Sequence, residues 1–261
     1  MRLQVICFMH VRRICVIKRN TNVSGLWKII LLSIVILSIC GAIYKLSHMD
    51  RKGTSKWEEY LHKGETLIDG AEEGELAYLL ISTNGRTDYG NYLVIMESEG
   101  TKYKRRYENN FQDLRPWKII LADIDGDEIM EIITVVNKTT HYDKELKNRL
   151  FIFNYEKNAL VKKWTGSQIG GAWNQVYIGD LVSIPGEEII LVEETEQKLE
   201  KLGVYYWFDF GFLKLAESKE YQDIQKVTIC GENTIRMVYG LENELECDLT
   251  LKAGKVVEVP R

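Results

Sequence analysis

The acids between residues 123 and 131 have the type and spacing of a cation site. Carboxylates occupy loop positions 1, 3, 5 and 9, which are Asp123, Asp125, Asp127 and Glu131. Hard divalent cations such as Ca²⁺ take six to eight oxygen ligands, and alternate carboxylates on a tight loop converge on one point. The backbone carbonyl of Ile129, at position 7, adds a further oxygen. The spacing therefore predicts one Ca²⁺ site formed by these five residues.

The same loop excludes an EF-hand. That loop needs Gly at position 6 and Glu at position 12, whereas Glu128 and Thr134 occupy those positions here. A dockerin-type loop fails at position 12 for the same reason. The predicted site is instead a nine-residue loop that is followed directly by a strand.

This nine-residue form resembles the calcium loop of FG-GAP and VCBS repeats, which form integrin-like β-propellers. Their usual pattern is DxDGDGxxDL or close to it, and residues 122–132 read ADIDGDEIMEI. Glu131 replaces the last Asp of the pattern, and Glu128 replaces a Gly that permits the turn. Since a non-Gly residue with positive φ is uncommon, a different backbone is expected at Glu128. The resemblance implies a propeller with protein or glycan ligands.

The other repeats described below lack a full set of acids. The third repeat keeps only Asp180 and Glu188, and the first and fourth have no DxD core. At most one metal site is therefore expected. The alternative for 123–131 is an acidic turn without metal, held by Asp side chains that accept hydrogen bonds from backbone amides.

No group of residues has the pattern of a catalytic site. The histidines are His10, His48, His62 and His141, and the last lies in a polar loop. A lone loop histidine is more often solvated than catalytic. No G-x-S-x-G, H-E-x-x-H or Gly-rich phosphate loop occurs. Neither catalytic nor organic-cofactor residues are predicted, and an enzyme is the less favoured interpretation.

The elements that must position the acidic loop are predicted to be strands. Short β-branched and aromatic runs alternate with Gly, Asn, Asp and Lys turns, which is typical of β-structure. The runs form four groups of four: 65–69, 76–82, 91–97 and 102–107; 117–123, 131–136, 149–155 and 160–165; 175–180, 188–194, 203–209 and 212–217; 224–230, 234–239, 245–251 and 255–259. Glu75, Glu131 and Glu188 open the second strand of the first three groups, 56 and 57 residues apart.

A repeat of about 50 residues with four antiparallel strands is the blade of a β-propeller. The predicted fold class is therefore all-β, a propeller-like array of about four four-stranded repeats over 64–261. An irregular β-sandwich or barrel is the alternative. Because four blades is a low number, an open ring or a ring completed by a dimer also fits.

An apolar segment precedes this domain. Residues 29–44 carry no charge, and extension to residue 46 gives a single transmembrane anchor, 29–46. The basic residues before it predict a cytoplasmic N-terminal segment, 1–28. Residues 47–63 are a predicted stalk with a short helix. The domain is then extracytoplasmic at the cell membrane. A cleaved signal peptide and a lipoprotein box at Cys40 are alternatives, although Ile39 departs from the box.

Charge and cysteine content limit the partners. Residues 1–52 have nine basic side chains and one acid, whereas the rest has 25 basic and 37 acidic side chains, a net charge of −12. An acidic domain is a poor nucleic-acid binder, because phosphate contacts need clustered Lys and Arg. Cys230 and Cys247 could pair in an oxidising space or remain buried thiols.

The longest predicted loops join the second and third strands of a repeat, at 83–90, 137–148 and 195–202. They carry Tyr89, Tyr142 and Arg86, residue types that are common in binding surfaces. The leading hypothesis is a membrane-anchored binding or adhesion-type module for a protein or glycan. The alternatives are an exported enzyme acting on carbohydrate or cell-wall material, and a scaffold subunit of a membrane complex.

Overall fold

The computed structural model describes residues 56–111 and 113–259 of the chain. The predicted cytoplasmic segment (1–28), the anchor (29–46) and most of the stalk (47–55) lie outside these residues. In the part that is described, no helix is both long and apolar enough to cross a membrane.

Strands dominate the described residues. After a single 3₁₀ turn at Glu58–Tyr60, sixteen strands follow: β1 (Thr66–Glu73), β2 (Leu76–Ser82), β3 (Tyr92–Glu99), β4 (Lys102–Asn110), β5 (Pro116–Ala122), β6 (Glu131–Lys138), β7 (Lys147–Glu156), β8 (Ala159–Thr165), β9 (Trp173–Gly179), β10 (Glu188–Glu194), β11 (Glu200–Phe208), β12 (Gly211–Ser218), β13 (Ile224–Gly231), β14 (Thr234–Tyr239), β15 (Leu245–Lys252) and β16 (Lys255–Glu258). Each predicted run overlaps one of these strands, so the all-β class is confirmed.

The strands pair in sequence order within each group of four, always antiparallel. β1–β4 and β5–β8 form two separate sheets. The third and fourth groups share one eight-stranded sheet, because β12 pairs in parallel with β16 at Glu217↔Lys255 and Ser218↔Val256. That parallel contact was not predicted.

The apolar runs are explained by the position of each strand in its sheet. The second strands β2, β6 and β10 are buried over almost their whole length, because both faces of an inner strand are covered. By contrast, the outer strand β4 alternates exposed and half-buried residues, as expected where one face meets solvent.

Consecutive groups pack against each other through hydrophobic clusters. One cluster joins the first and second groups, another the second and third, and another the third and fourth. Their buried residues include Phe111 and Phe153, Ile133 and Ile189, and Val204 and Ile235, respectively. The acidic loop is therefore held between sheets that support each other.

The end of the predicted stalk packs on the first sheet. Trp57 is buried with Ala77 and Leu79, and its ring meets Tyr103 at 4.8 Å between centroids. The short helix expected there is only the 3₁₀ turn Glu58–Tyr60. Burial of Trp57 explains this difference, because the chain is fixed by the sheet rather than by helical hydrogen bonds.

Cys230 and Cys247 are not joined in a disulfide. Cys230 is exposed and Cys247 is half-buried. Neither thiol is fully buried, so the predicted alternative of two buried thiols is wrong for Cys230 and only partly met by Cys247.

Candidate metal site and long-loop groove

The loop between β5 and β6 is organised by the carboxylate of Asp123. Its Oδ1 accepts hydrogen bonds from the amides of Gly126 (2.7 Å) and Asp127 (3.2 Å), and its Oδ2 accepts one from Glu128 (2.9 Å). Asp127 Oδ1 accepts the Ile129 amide at 2.9 Å. These are the bonds expected of the acidic turn.

Glu128 has φ of +67°, which is the left-handed conformation that glycine adopts most readily. The neighbouring Gly126 is required for space. A Cβ there would lie 2.5 Å from Cβ of Pro185, in the corresponding loop of the third group. The expected departure at Glu128 is therefore wrong, and the turn is formed at the cost of an uncommon φ.

Glu131 closes the loop from inside the protein. It is 0% exposed, and its Oε2 accepts the Ile124 amide at 2.9 Å. Its Oε1 accepts hydrogen bonds from Asn154 (3.2 Å) and Lys163 (2.6 Å). A buried carboxylate needs such partners, because an uncompensated charge away from water is costly.

Lys163 is the residue that sequence reasoning missed. Its ammonium binds Oδ2 of Asp125 and Oε1 of Glu131, and its side chain is only 15% exposed. Burial alone would lower the pKa of Lys163, but the hydrogen bonds to Asp125 and Glu131 outweigh it and raise that pKa. The loop therefore already has a positive charge, supplied by β8.

Three of the five predicted metal ligands come together. One carboxylate oxygen each from Asp123, Asp125 and Glu131 lies within 4.8 Å of the others, close enough to hold one metal ion. Asp125 Oδ1 is buried and has no hydrogen-bond partner among the described residues, so it is open to a cation. Asp127 lies outside this cluster, and the role of the Ile129 carbonyl stays a prediction.

The third group also has a buried glutamate that accepts hydrogen bonds from its loop, but no lysine in the described part of the chain binds this glutamate. Glu188 is also 0% exposed, and its Oε2 accepts the amides of Leu181 (2.8 Å) and Val182 (3.3 Å). Its Oε1 is buried with no hydrogen-bond partner among the described residues. Burial raises the pKa of Glu188, and the nearby Asp180 carboxylate adds to that rise.

The residue at the bulge of the outer strand explains why no lysine of the described sheets binds Glu188. Lys163 is the extra residue of a bulge in β8, between the partners of Ile152 and Phe153. The bulge in β12 lies between the partners of Val204 and Tyr205 and places Leu215 there. In β4 the same position holds Arg106, which binds Glu97 at 2.6 Å. Because the bulge is set by strand pairing, the sequence held no local signal for the role of Lys163.

The first and fourth groups have no such buried glutamate. Glu75 lies in the turn before β2 and is exposed, so it does not open the strand as expected. In the fourth group, Thr234 pairs with Gly231, where Glu131 pairs with Ala122 in the second group.

At the opposite ends of these sheets, the predicted long loops are 83–91, 139–146 and 195–199. The second and third are shorter than predicted, because β6 extends to Lys138, β7 begins at Lys147 and β11 begins at Glu200. The loop 139–146 is fixed by Asp143, which binds the buried guanidinium of Arg149 at 2.6 Å. That contact is also the main reason why the pKa of Asp143 is lowered.

A groove of about 380 Å³ lies between the first two long loops. Its lining includes Asn84, Tyr89, Asp113, Arg115 and Lys138. We call this region the long-loop groove. The guanidinium carbons of Arg86 and Arg115 lie 4.6 and 5.6 Å from the centre of the Tyr89 ring, within the range of cation–π attraction.

Another concave region contains carboxylates, and it bears on the alternative that the protein is an exported enzyme. Its lining includes Glu193, Lys201 and Lys214. Glu193 is 2% exposed, accepts a hydrogen bond from the Tyr205 hydroxyl, and lies 3.9 and 3.6 Å from the two lysine ammoniums. This carboxylate is thus neutralised within a network, as a structural group would be.

No protein-family model matches the sequence, and no characterised protein matches it significantly. Among solved structures, one described as a Xanthomonas type IV secretion system related protein is similar to this chain at 13% identity. The match covers 77% of this chain and 95% of that one, with a TM-score of 0.34. A similarity this low supports no argument about function.

Proposed function

We propose that this protein is a membrane-anchored, extracytoplasmic binding module with FG-GAP-like repeats in a propeller-like array. The observation that carries the proposal is the long-loop groove. It combines an aromatic ring with basic side chains at one end of a rigid set of sheets. Binding residues are often found on loops that a scaffold positions. The anchor at 29–46 and the outward orientation rest on the sequence alone.

The propeller interpretation is supported by the packing of successive sheets. Each four-stranded sheet is too small to bury its own faces, and each shares a hydrophobic cluster with the next. Trp57 covers the first sheet, which favours an open array. The parallel contact between β12 and β16 is an additional link between the last two blades.

Calcium binding belongs to this proposal as a stabilising function. The three converging carboxylates and the open Oδ1 of Asp125 support it. The Lys163 ammonium contacts two of the same three residues. A calcium ion would therefore compete with Lys163, and occupancy depends on that competition.

The orientation is tested with a membrane-impermeant maleimide on intact cells. Cys230 is exposed on the domain, so we expect labelling of the wild type that is lost in Cys230→Ser and retained in Cys247→Ser. Labelling only after lysis would contradict an extracytoplasmic domain.

The binding end is tested by placing a photo-crosslinking residue at Lys144, in the loop 139–146, or at Lys102, at the opposite end. We expect a discrete adduct from position 144 and none from 102. Tyr142 is 95% exposed, so Tyr142→Ala should remove the adduct without changing the melting temperature. Equal adducts from both ends would contradict the proposed binding end.

A further inference from the structure

Arg115 differs from the other arginines of the described residues. Arg86, Arg105, Arg106, Arg149 and Arg236 each bind at least one carboxylate. In residues 56–111 and 113–259, Arg115 has no carboxylate partner, and its guanidinium lies at the Tyr89 ring. A planar guanidinium is suited to bidentate recognition of a carboxylate or phosphate.

The backbone holds Arg115 in an uncommon conformation. Its φ is +53°, and its amide donates to the Phe111 carbonyl at 3.2 Å. A non-Gly residue keeps the left-handed conformation only where the surrounding structure enforces it. The start of the Arg115 side chain is therefore fixed at the mouth of the long-loop groove.

Other donors face the same groove. Lys138 donates to the Asp113 carbonyl at 3.3 Å and has no carboxylate partner in the described chain. Oδ1 of Asn84 accepts from Ser82 Oγ at 2.8 Å, which leaves its amide NH₂ available. Two basic side chains and one acid, Asp113, line the groove, so it carries a net positive charge in a domain whose net charge is −12.

We propose that the long-loop groove binds an oxyanion, the carboxylate or phosphate group of a ligand, through Arg115 and Lys138. Arg115 forms the bidentate contact, Lys138 adds a second positive charge, and the Asn84 amide donates to a neighbouring oxygen. The Tyr89 ring keeps the Arg115 side chain in place. This proposal rests on the proposed binding function of the long-loop end and names the chemistry of its ligand.

The test uses the full-length protein in detergent, with inorganic phosphate, D-glucuronate and the neutral sugar D-glucose as probes. Ligand-detected NMR measures binding to the wild type and to Arg115→Gln, Arg115→Lys and Lys138→Met. The matched control is Arg236→Gln, which removes an arginine from the fourth group. Melting temperatures show that each variant is folded.

Phosphate or glucuronate should bind and glucose should not. We expect Arg115→Gln to weaken binding by about tenfold or more, since a charge-assisted bidentate contact is lost. Arg115→Lys should keep only part of the wild-type affinity for the anion, and Arg236→Gln should bind the anion like the wild type. The tighter of the two anions identifies the oxyanion as phosphate or carboxylate.

Equal binding by Arg115→Gln and wild type, or no anion binding at about 50 mM, would overturn the proposal, since a Kd weaker than millimolar leaves little binding free energy. Crosslinking from position 144 could still succeed, so the two proposals can fail separately.

Discussion

The loops 123–130 and 180–187 occupy the same place in consecutive groups, and each is followed by a glutamate that is 0% exposed. Both glutamates accept backbone amides from their own loop through Oε2. They differ at Oε1. Lys163 and Asn154 bind that atom of Glu131, whereas Glu188 has no partner there among the described residues.

The difference separates two roles of the buried carboxylate. Its hydrogen bonds to the loop amides occur in both groups, so holding the turn does not need a cation. Burial raises the pKa of both glutamates, but Lys163 opposes that rise only at Glu131. One loop is therefore stabilised by an ion pair, and the other carries an uncompensated acid.

The largest expected effect is that of removing the lysine. Lys163→Met leaves Asp125 and the buried Glu131 without their cation. Breaking a buried pair from one side typically costs about 3 kcal/mol or more, which corresponds to a fall in melting temperature of roughly 6 to 12 °C for a domain of this size. Thermal unfolding followed by circular dichroism measures the fall.

Lys162→Met is the matched control, because Lys162 is exposed and directly precedes Lys163. Surface changes of this kind usually stay within about 0.5 kcal/mol. Equal melting temperatures for the two variants would show that the ion pair does not stabilise the second group.

Calcium gives the next largest effect. In Lys163→Met the three carboxylates of the candidate metal site have no competing ammonium, so calcium should raise its melting temperature more than that of the wild type. At about ten times the Kd, linkage predicts a gain of about 1.4 kcal/mol. Calorimetry with calcium, and with chelator, measures the gain. Adding Asp125→Ala should abolish it. An absence of any calcium effect in both proteins would leave the acidic turn as the sole role of the loop.

Removing the titratable group of Glu188 should stabilise the protein, whereas removing Lys163 should destabilise it. Its pKa is raised in the folded state from the ordinary value of 4.5. Its contribution to stability is therefore fully present below that ordinary pKa and is lost as pH rises through the raised value. Glu188→Gln keeps an acceptor for the loop amides and does not titrate. We expect it to be more stable than the wild type by roughly 1 kcal/mol at about pH 8, and by less as pH falls. Melting temperatures measured from acidic to mildly alkaline pH test this, and a gap that does not change with pH would contradict it.

The strands and the acids of this site could be predicted from sequence, and the lysine could not. Short runs of β-branched and other apolar residues identify β5 and β6, and the DxDGD spacing identifies the loop. Lys163 lies 32 residues after Glu131, in an outer strand where Lys162 and Lys163 both look solvated. The bulge between the partners of Ile152 and Phe153 decides which lysine turns inward. Such a bulge depends on pairing between strands, which no local pattern reports. The same holds for the parallel contact between β12 and β16.

The smallest expected effect comes from placing the lysine in the third group. Register puts Leu215 where Lys163 lies, so Leu215→Lys should bring an ammonium to Oε1 of Glu188. Leu215 also packs against a core cluster, and the lost packing offsets the new ion pair. Net stability is therefore a poor measure, and a double-mutant cycle with Glu188→Gln is needed. We expect Leu215→Lys to be better tolerated in the wild-type background than in the Glu188→Gln background, by a coupling energy of about 1 kcal/mol. That coupling should be lost at low pH, where Glu188 is neutral. A coupling near zero at mildly alkaline pH would mean that the bulge position alone does not form the ion pair, and that Asn154 or Asp125 is also required in the second group.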